Sequence, residues 1–118
     1  MIESLIAHLF YVREVAHRAH LRTASYAAHM ALGDLYDAIV DRTDALAEAW
    51  MGRSGDVLGD IPFVLEPAGE IIPTLEAQRA WIDTNRADAT LAATEIQNLI
   101  DEAVAVIDAA LYKLRRFP

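Results

Sequence analysis

The chain has 118 residues, enough for one domain and too few for a second core. Hydrophobic residues make up 54% and charged residues 24%, which excludes intrinsic disorder. Ten Lys and Arg against 18 Asp and Glu leave a net charge of −8, the wrong sign for a phosphate-binding surface, and the absence of cysteine excludes disulfides, iron–sulfur ligation and thiol nucleophiles.

The first predicted element is a helix over residues 2–22. Its apolar stripe Ile2, Leu5, Leu9, Val12 and Ala16 advances in steps of three and four, which defines one helical face. A second helix is expected over 25–51, on the stripe Leu32, Leu35, Tyr36, Ile39, Val40, Leu46, Ala47 and Trp50. Ser25 or Thr23 can cap its start, and Gly52 can stop it. Residues 52–72 hold four of the five glycines and, with Pro73, three of the four prolines lie at 62–73, so this stretch reads as an irregular connection. Phe63-Val64-Leu65 is its one strand candidate. A shorter helix is expected over 73–85, opened by Pro73 and carrying Leu75, Ala80, Trp81 and Ile82. The last helix is expected over 89–116, with Asp88 or Thr90 as cap and a stripe from Leu91 to Leu114. Two long helices, an irregular crossover, then a short and a long helix predict an all-α fold, a ferritin-like four-helix bundle spanning 1–118.

No apolar run approaches the ~18–20 residues of a membrane span, and Met1-Ile2-Glu3-Ser4-Leu5 lacks the basic start of a secretion signal. No membrane partner is expected, and the cytoplasm is the expected location.

Several polar residues interrupt this pattern. The first-helix stripe continues at the next step of four into His20, which therefore sits where a core residue belongs. His17 lies about 60° further round the same helix. On the second helix His29 borders the apolar stripe, and Asp37, Asp41, Asp44 and Glu48 fall within about 60° of arc beside it. Like charges at these spacings repel, so the acidic column is a mild cost that a cation would offset. A solvated acidic face explains the column equally well. Imidazole and carboxylate on facing helices suit divalent iron or manganese, and no thiolate is present. Glu14-Val15-Ala16-His17 has the Glu-x-x-His spacing of buried di-iron bundles, but Glu14 points to the solvent side. A site at the rim of the bundle, shared with another subunit, fits the column better. No Gly-x-Ser-x-Gly elbow and no phosphate-binding glycine loop occurs. Trp50 and Trp81 read as core.

The stretch His20-Leu21-Arg22-Thr23-Ala24-Ser25-Tyr26-Ala27-Ala28-His29, then Ala31 through Ala38, Asp44 through Gly52, and Ile100 through Leu114, resembles a family of short, phage-encoded proteins of the ferritin superfamily. These are related to the DNA-protection-during-starvation (Dps) proteins. The resemblance implies a ferroxidase-type site across a two-fold subunit interface, with His29, Asp44 and Glu48 as iron ligands. Its first histidine is His20 or His17; the face argument favours His20. Where the family carries a further Asp one turn after the second His, this chain has Gly33, and Asp37 is the nearest acid on that side. The implied protein is a homo-oligomer, a dimer at least or a closed shell, in the host cytoplasm or the virion, that would bind and oxidise Fe²⁺ (or Mn²⁺). The rival reading is a structural or virion-associated helical oligomer that kept the fold without the chemistry.

Overall fold

The computed structural model describes residues 1–118. Four helices form: α1 (Ile2–Arg22), α2 (Tyr26–Ser54), α3 (Ile71–Ala89) and α4 (Thr94–Arg116). There is no strand; Phe63-Val64-Leu65 forms no regular element.

Helix α1 matches its predicted limits. Helix α2 starts as expected, with the Ser25 hydroxyl accepting from the Ala28 N–H at 3.1 Å. It runs past Gly52 to Ser54, because a glycine tolerates helical angles and only Gly55 adopts the left-handed φ of 77° that ends a helix. Helix α3 is longer than 73–85 at both ends. Pro73 is its third residue, where the missing N–H would have had no intrahelical partner. Asp88 lies inside α3 and caps nothing. The fourth helix begins at Thr94 rather than 89, since residues 90–93 are held outside it by side chains. Gln97 Nε2 donates to Leu91 O and Thr90 Oγ1, both at 2.9 Å, and Thr90 Oγ1 donates to Arg86 O at 3.0 Å. The connection is accordingly 55–70.

Each helix contacts two neighbours and skips the diagonal: α1 packs on α2 and α3, and α4 packs on α2 and α3. Ion pairs set the directions. Arg53–Glu95 and Lys113–Asp34 run α2 against α4, while Arg115–Glu76, Arg79–Asp108 and Arg86–Asp101 run α3 against α4. Helices α2 and α3 are therefore parallel, and the crossover must climb the bundle between them. It does so along α1: Gly59 N–H donates to Glu3 at 2.9 Å near the foot, and Tyr11 donates to Glu66 O at 3.1 Å higher up. One long crossover in an otherwise antiparallel bundle is the connectivity of ferritin-like folds.

The core holds Leu5, Leu9, Val12, Leu32, Leu35, Ile39, Leu46, Leu75, Ile82, Ile96, Ile100 and Ile107, all at most 1% exposed. Val40, expected in the stripe, is 38% exposed and Ala80 is exposed as well, because each lies at the edge of its stripe with no helix beyond it. No helix is long and apolar enough to cross a membrane.

Candidate metal centre

His20 lies in the last turn of α1, His29 in the first turn of α2, and a three-residue turn folds one back on the other. That turn is braced locally by Ser25 N–H donating to Thr23 Oγ1 at 3.1 Å. The two imidazoles then stack, with ring centroids 3.7 Å apart and planes 19° from parallel. Each ring also bonds the other residue's backbone. His20 Nδ1–H donates to the carbonyl of His29 at 2.6 Å, and His29 Nδ1–H donates to the carbonyl of His20 at 2.9 Å. A carbonyl only accepts, so both Nδ1 atoms carry protons. In the neutral ring each Nε2 then keeps its lone pair. Metal-ligating histidines characteristically donate their other ring N–H to a carbonyl or carboxylate in this way.

Gly33, one turn after His29, makes this arrangement possible. A methyl group there would lie 3.1 Å from His20 Cε1 and 3.2 Å from Nδ1. The glycine that stands in place of a carboxylate therefore has a packing role, giving the His20 ring room over the α2 backbone. His17 does not join the pair. Its ring lies flat on Tyr36, with centroids 4.2 Å apart, and 6.3 Å from the His20 centroid. Tyr36 meets His20 edge-on at 5.2 Å, and Tyr26 lies 6.3 Å from His29.

The carboxylates lie elsewhere. Asp37, Asp41, Asp44 and Glu48 are exposed along α2, and none forms an ion pair. Fifteen residues separate His29 from Asp44, about 22 Å along the axis at 1.5 Å per residue. No three His, Asp or Glu side chains converge within one chain. The structure thus brings together His20, His29 and, at one remove, His17, and it does not bring Asp44, Glu48 or Asp37 to them.

Three features had no part in the sequence-based site. Tyr36 read as core, though it packs between the histidines. Beside Asp44, a cleft of about 620 Å³ opens between α1, α2 and the crossover, with Phe10, Val40 and Phe63 on its walls and Arg13 at its edge. On the opposite side of α1, His8 stacks on Trp81 at 3.6 Å, and its Nδ1–H donates to the buried Gln78 Oε1 at 2.6 Å. Trp81 at i, i+3 from Gln78 was the available signal for that cluster.

No curated protein and no solved structure matches the chain significantly. A family model described as a family of unknown function (DUF5856) matches residues 20–114, from the first histidine of the stacked pair through the acidic column into the last turn of α4. The chain belongs to that family, DUF5856.

Proposed function

We propose that this protein binds divalent iron or manganese between two copies of the chain, with Fe²⁺ as the substrate it oxidises. His20 and His29 of one copy supply imidazole Nε2 donors, and Asp44 and Glu48 of the other supply carboxylates. The observation that carries this reading is the reciprocal Nδ1–H to carbonyl pairing, which orients two imidazoles and leaves both Nε2 atoms free to accept a cation. Imidazole with carboxylate is the donor set that suits these metals. The residue pattern shared with Dps-like proteins supports the same reading, as do four carboxylates with no cationic partner on their own chain.

Bound Fe²⁺ supplies the electron that O₂ or peroxide accepts. The chain's own residues do the positioning. Gly33 lets His20 lie close to α2, and stacking on His29 restricts its rotation. Asp44 and Glu48 are four residues apart on one helical face, which allows both carboxylates to approach one cation. With Gly33 where a further carboxylate would stand, the nearest acid on that side is Asp37, one turn further along α2, and His17 is withdrawn against Tyr36.

The test is an anaerobic Fe²⁺ and Mn²⁺ titration followed by thermal unfolding, on the parent and on an Asp44→Asn/Glu48→Gln variant. A ligand that binds only the folded state raises its melting temperature by mass action. The expected result is stoichiometric binding and a raised Tm in the parent alone, with the apo variant at least as stable because two repelling charges are gone. Identical curves with and without either metal in both proteins would end the metal reading and leave a non-catalytic helical oligomer.

A further inference from the structure

We infer that the small pocket beside Gln78 binds a primary ammonium group that carries a neutral carbonyl, as in an amino-acid amide or the N-terminus of a peptide. The pocket lies on the side of α1 away from the acidic column, and it uses none of the residues of the metal centre.

Gln78 is the central side chain. It is one of only two polar residues in the buried set, at 4% exposure. His8 fixes its orientation. The His8 ring lies flat on Trp81, and its Nδ1–H donates to Gln78 Oε1 at 2.6 Å. An amide has an acceptor end and a donor end. With the oxygen held by His8, the NH₂ end turns away, and it makes no hydrogen bond to the protein. It is not sealed in, because Gln78 lines a pocket of about 230 Å³ that extends toward the start of α3. Donors on buried side chains are nearly always paired, so an acceptor belongs in front of this one.

The rest of the pocket supplies negative charge. Tyr11 forms one wall, and its hydroxyl donates to the Glu66 carbonyl at 3.1 Å. Burial and the nearby Glu66 carboxylate push the pKa of that hydroxyl up, which puts the carboxylate close to the same wall. Glu70 also borders the pocket. Thr74 Oγ1 donates to its carbonyl at 2.7 Å and ties the end of the crossover to α3. Neither Glu66 nor Glu70 forms an ion pair. Pro67 and Pro73 complete the walls and bring no N–H.

One buried donor and two unpaired carboxylates select the ligand. A bare metal ion or simple amine would answer the carboxylates and leave the Gln78 NH₂ without an acceptor. A free amino acid would answer the NH₂ but set its own carboxylate beside two others, and like charges repel. An ammonium with a neutral carbonyl satisfies both, the cation with Glu66 and Glu70 and the oxygen with Gln78 Nε2. A positively charged ligand also suits a chain of charge −8. The volume is below the ~300–1,000 Å³ of drug-sized sites, which limits the bound part to about one residue. Capture of a terminal amine is an established mode of peptide recognition.

The test is a nitrogen–proton NMR titration of the full chain with L-alaninamide in metal-free buffer. Saturable shifts are expected at Gln78 Nε2–H₂ and at the Thr74 and Ala77 amides, at roughly 1–10 mM ligand. N-acetyl-L-alaninamide lacks the ammonium, ethylammonium lacks the carbonyl, and L-alanine carries a carboxylate. Each should bind about tenfold more weakly or worse. Glu66→Gln/Glu70→Gln changes two exposed side chains, so it should keep the parent's circular dichroism and lose the shifts. Gln78→Met removes the donor at similar length and should weaken binding, while Glu102→Gln on α4 should titrate like the parent. Trialaninamide binding more tightly than alaninamide assigns the site to a peptide N-terminus, and weaker binding assigns it to a free small amine. No saturable shift with alaninamide would overturn the proposal. So would equal binding by any of the three analogues, or a Glu66→Gln/Glu70→Gln variant that still binds. With no metal present, that failure leaves the iron site untouched, and loss of the iron site leaves this pocket standing.

Discussion

Gly33→Ala measures how firmly the histidine pair is held. Replacing glycine by alanine inside an exposed stretch of helix ordinarily stabilises by about 0.5–1 kcal/mol. Gly52 should behave so: it lies within α2, and a methyl there meets nothing within 4 Å. At Gly33 the same methyl meets His20 Cε1 at 3.1 Å and Nδ1 at 3.2 Å. Carbon–carbon contacts favour about 3.5–4.0 Å, so the ring must retreat by about half an ångström. It has little room, with His29 stacked on it at 3.7 Å and Tyr36 at its edge. Retreat also stretches the 2.6 Å bond to the His29 carbonyl. Losing one or both reciprocal bonds costs about 0.5–1.5 kcal/mol each, which offsets the helix gain and can exceed it. The expected outcome is a Gly52→Ala protein that melts a few degrees higher and a Gly33→Ala protein that melts no higher than the parent, since about 1 kcal/mol moves a domain of this size by roughly 4 °C. Proton NMR should show the two slowly exchanging Nδ1–H signals in the parent weakened in Gly33→Ala only. Equal stabilisation by both substitutions would refute the close packing of His20.

Three further outcomes follow from other parts of the molecule. Ser25→Ala removes the hydroxyl that accepts from Ala28 N–H and should cost about 1 kcal/mol by urea unfolding, while Ser25→Asp should cost little. The Gly59 N–H holds the Glu3 carboxyl below its ordinary value of 4.5, so its contribution is present above that pH and lost as pH falls through the lower folded value. Glu3→Gln should then flatten the acid limb of a plot of urea midpoint against pH; an unchanged acid limb would count against the Glu3–Gly59 contact. Arg79 donates to both Asp108 and Asp83, which raise its pKa further. Arg79→Met should destabilise by roughly 1 kcal/mol at low ionic strength, with the gap narrowing in high salt because exposed carboxylates are screened.

The sequence by itself determined the four helices, the limits of α1, a cap for α2 at Ser25 or Thr23 and nearly all of the core, because these depend on a 3.6-residue period and on single-residue backbone preferences. It also marked His20 as out of place on an apolar face. Helix ends that rest on distant side chains lay beyond it: α4 starts at Thr94 because Gln97 and Thr90 hold the preceding turn, and α2 passes Gly52 because nothing there demands a positive φ. Gly33 shows the same limit at the site. The resemblance suggests a missing ligand there, whereas the packing shows a position cleared for a ring thirteen residues away. The pairing of His20 with His29 needed the turn to fold α1 onto α2 before each carbonyl could meet the other ring. The separation of about 22 Å from His29 to Asp44, and about 28 Å to Glu48, followed by contrast from the helix alone, since a rigid helix fixes the rise per residue and no fold of one chain shortens it.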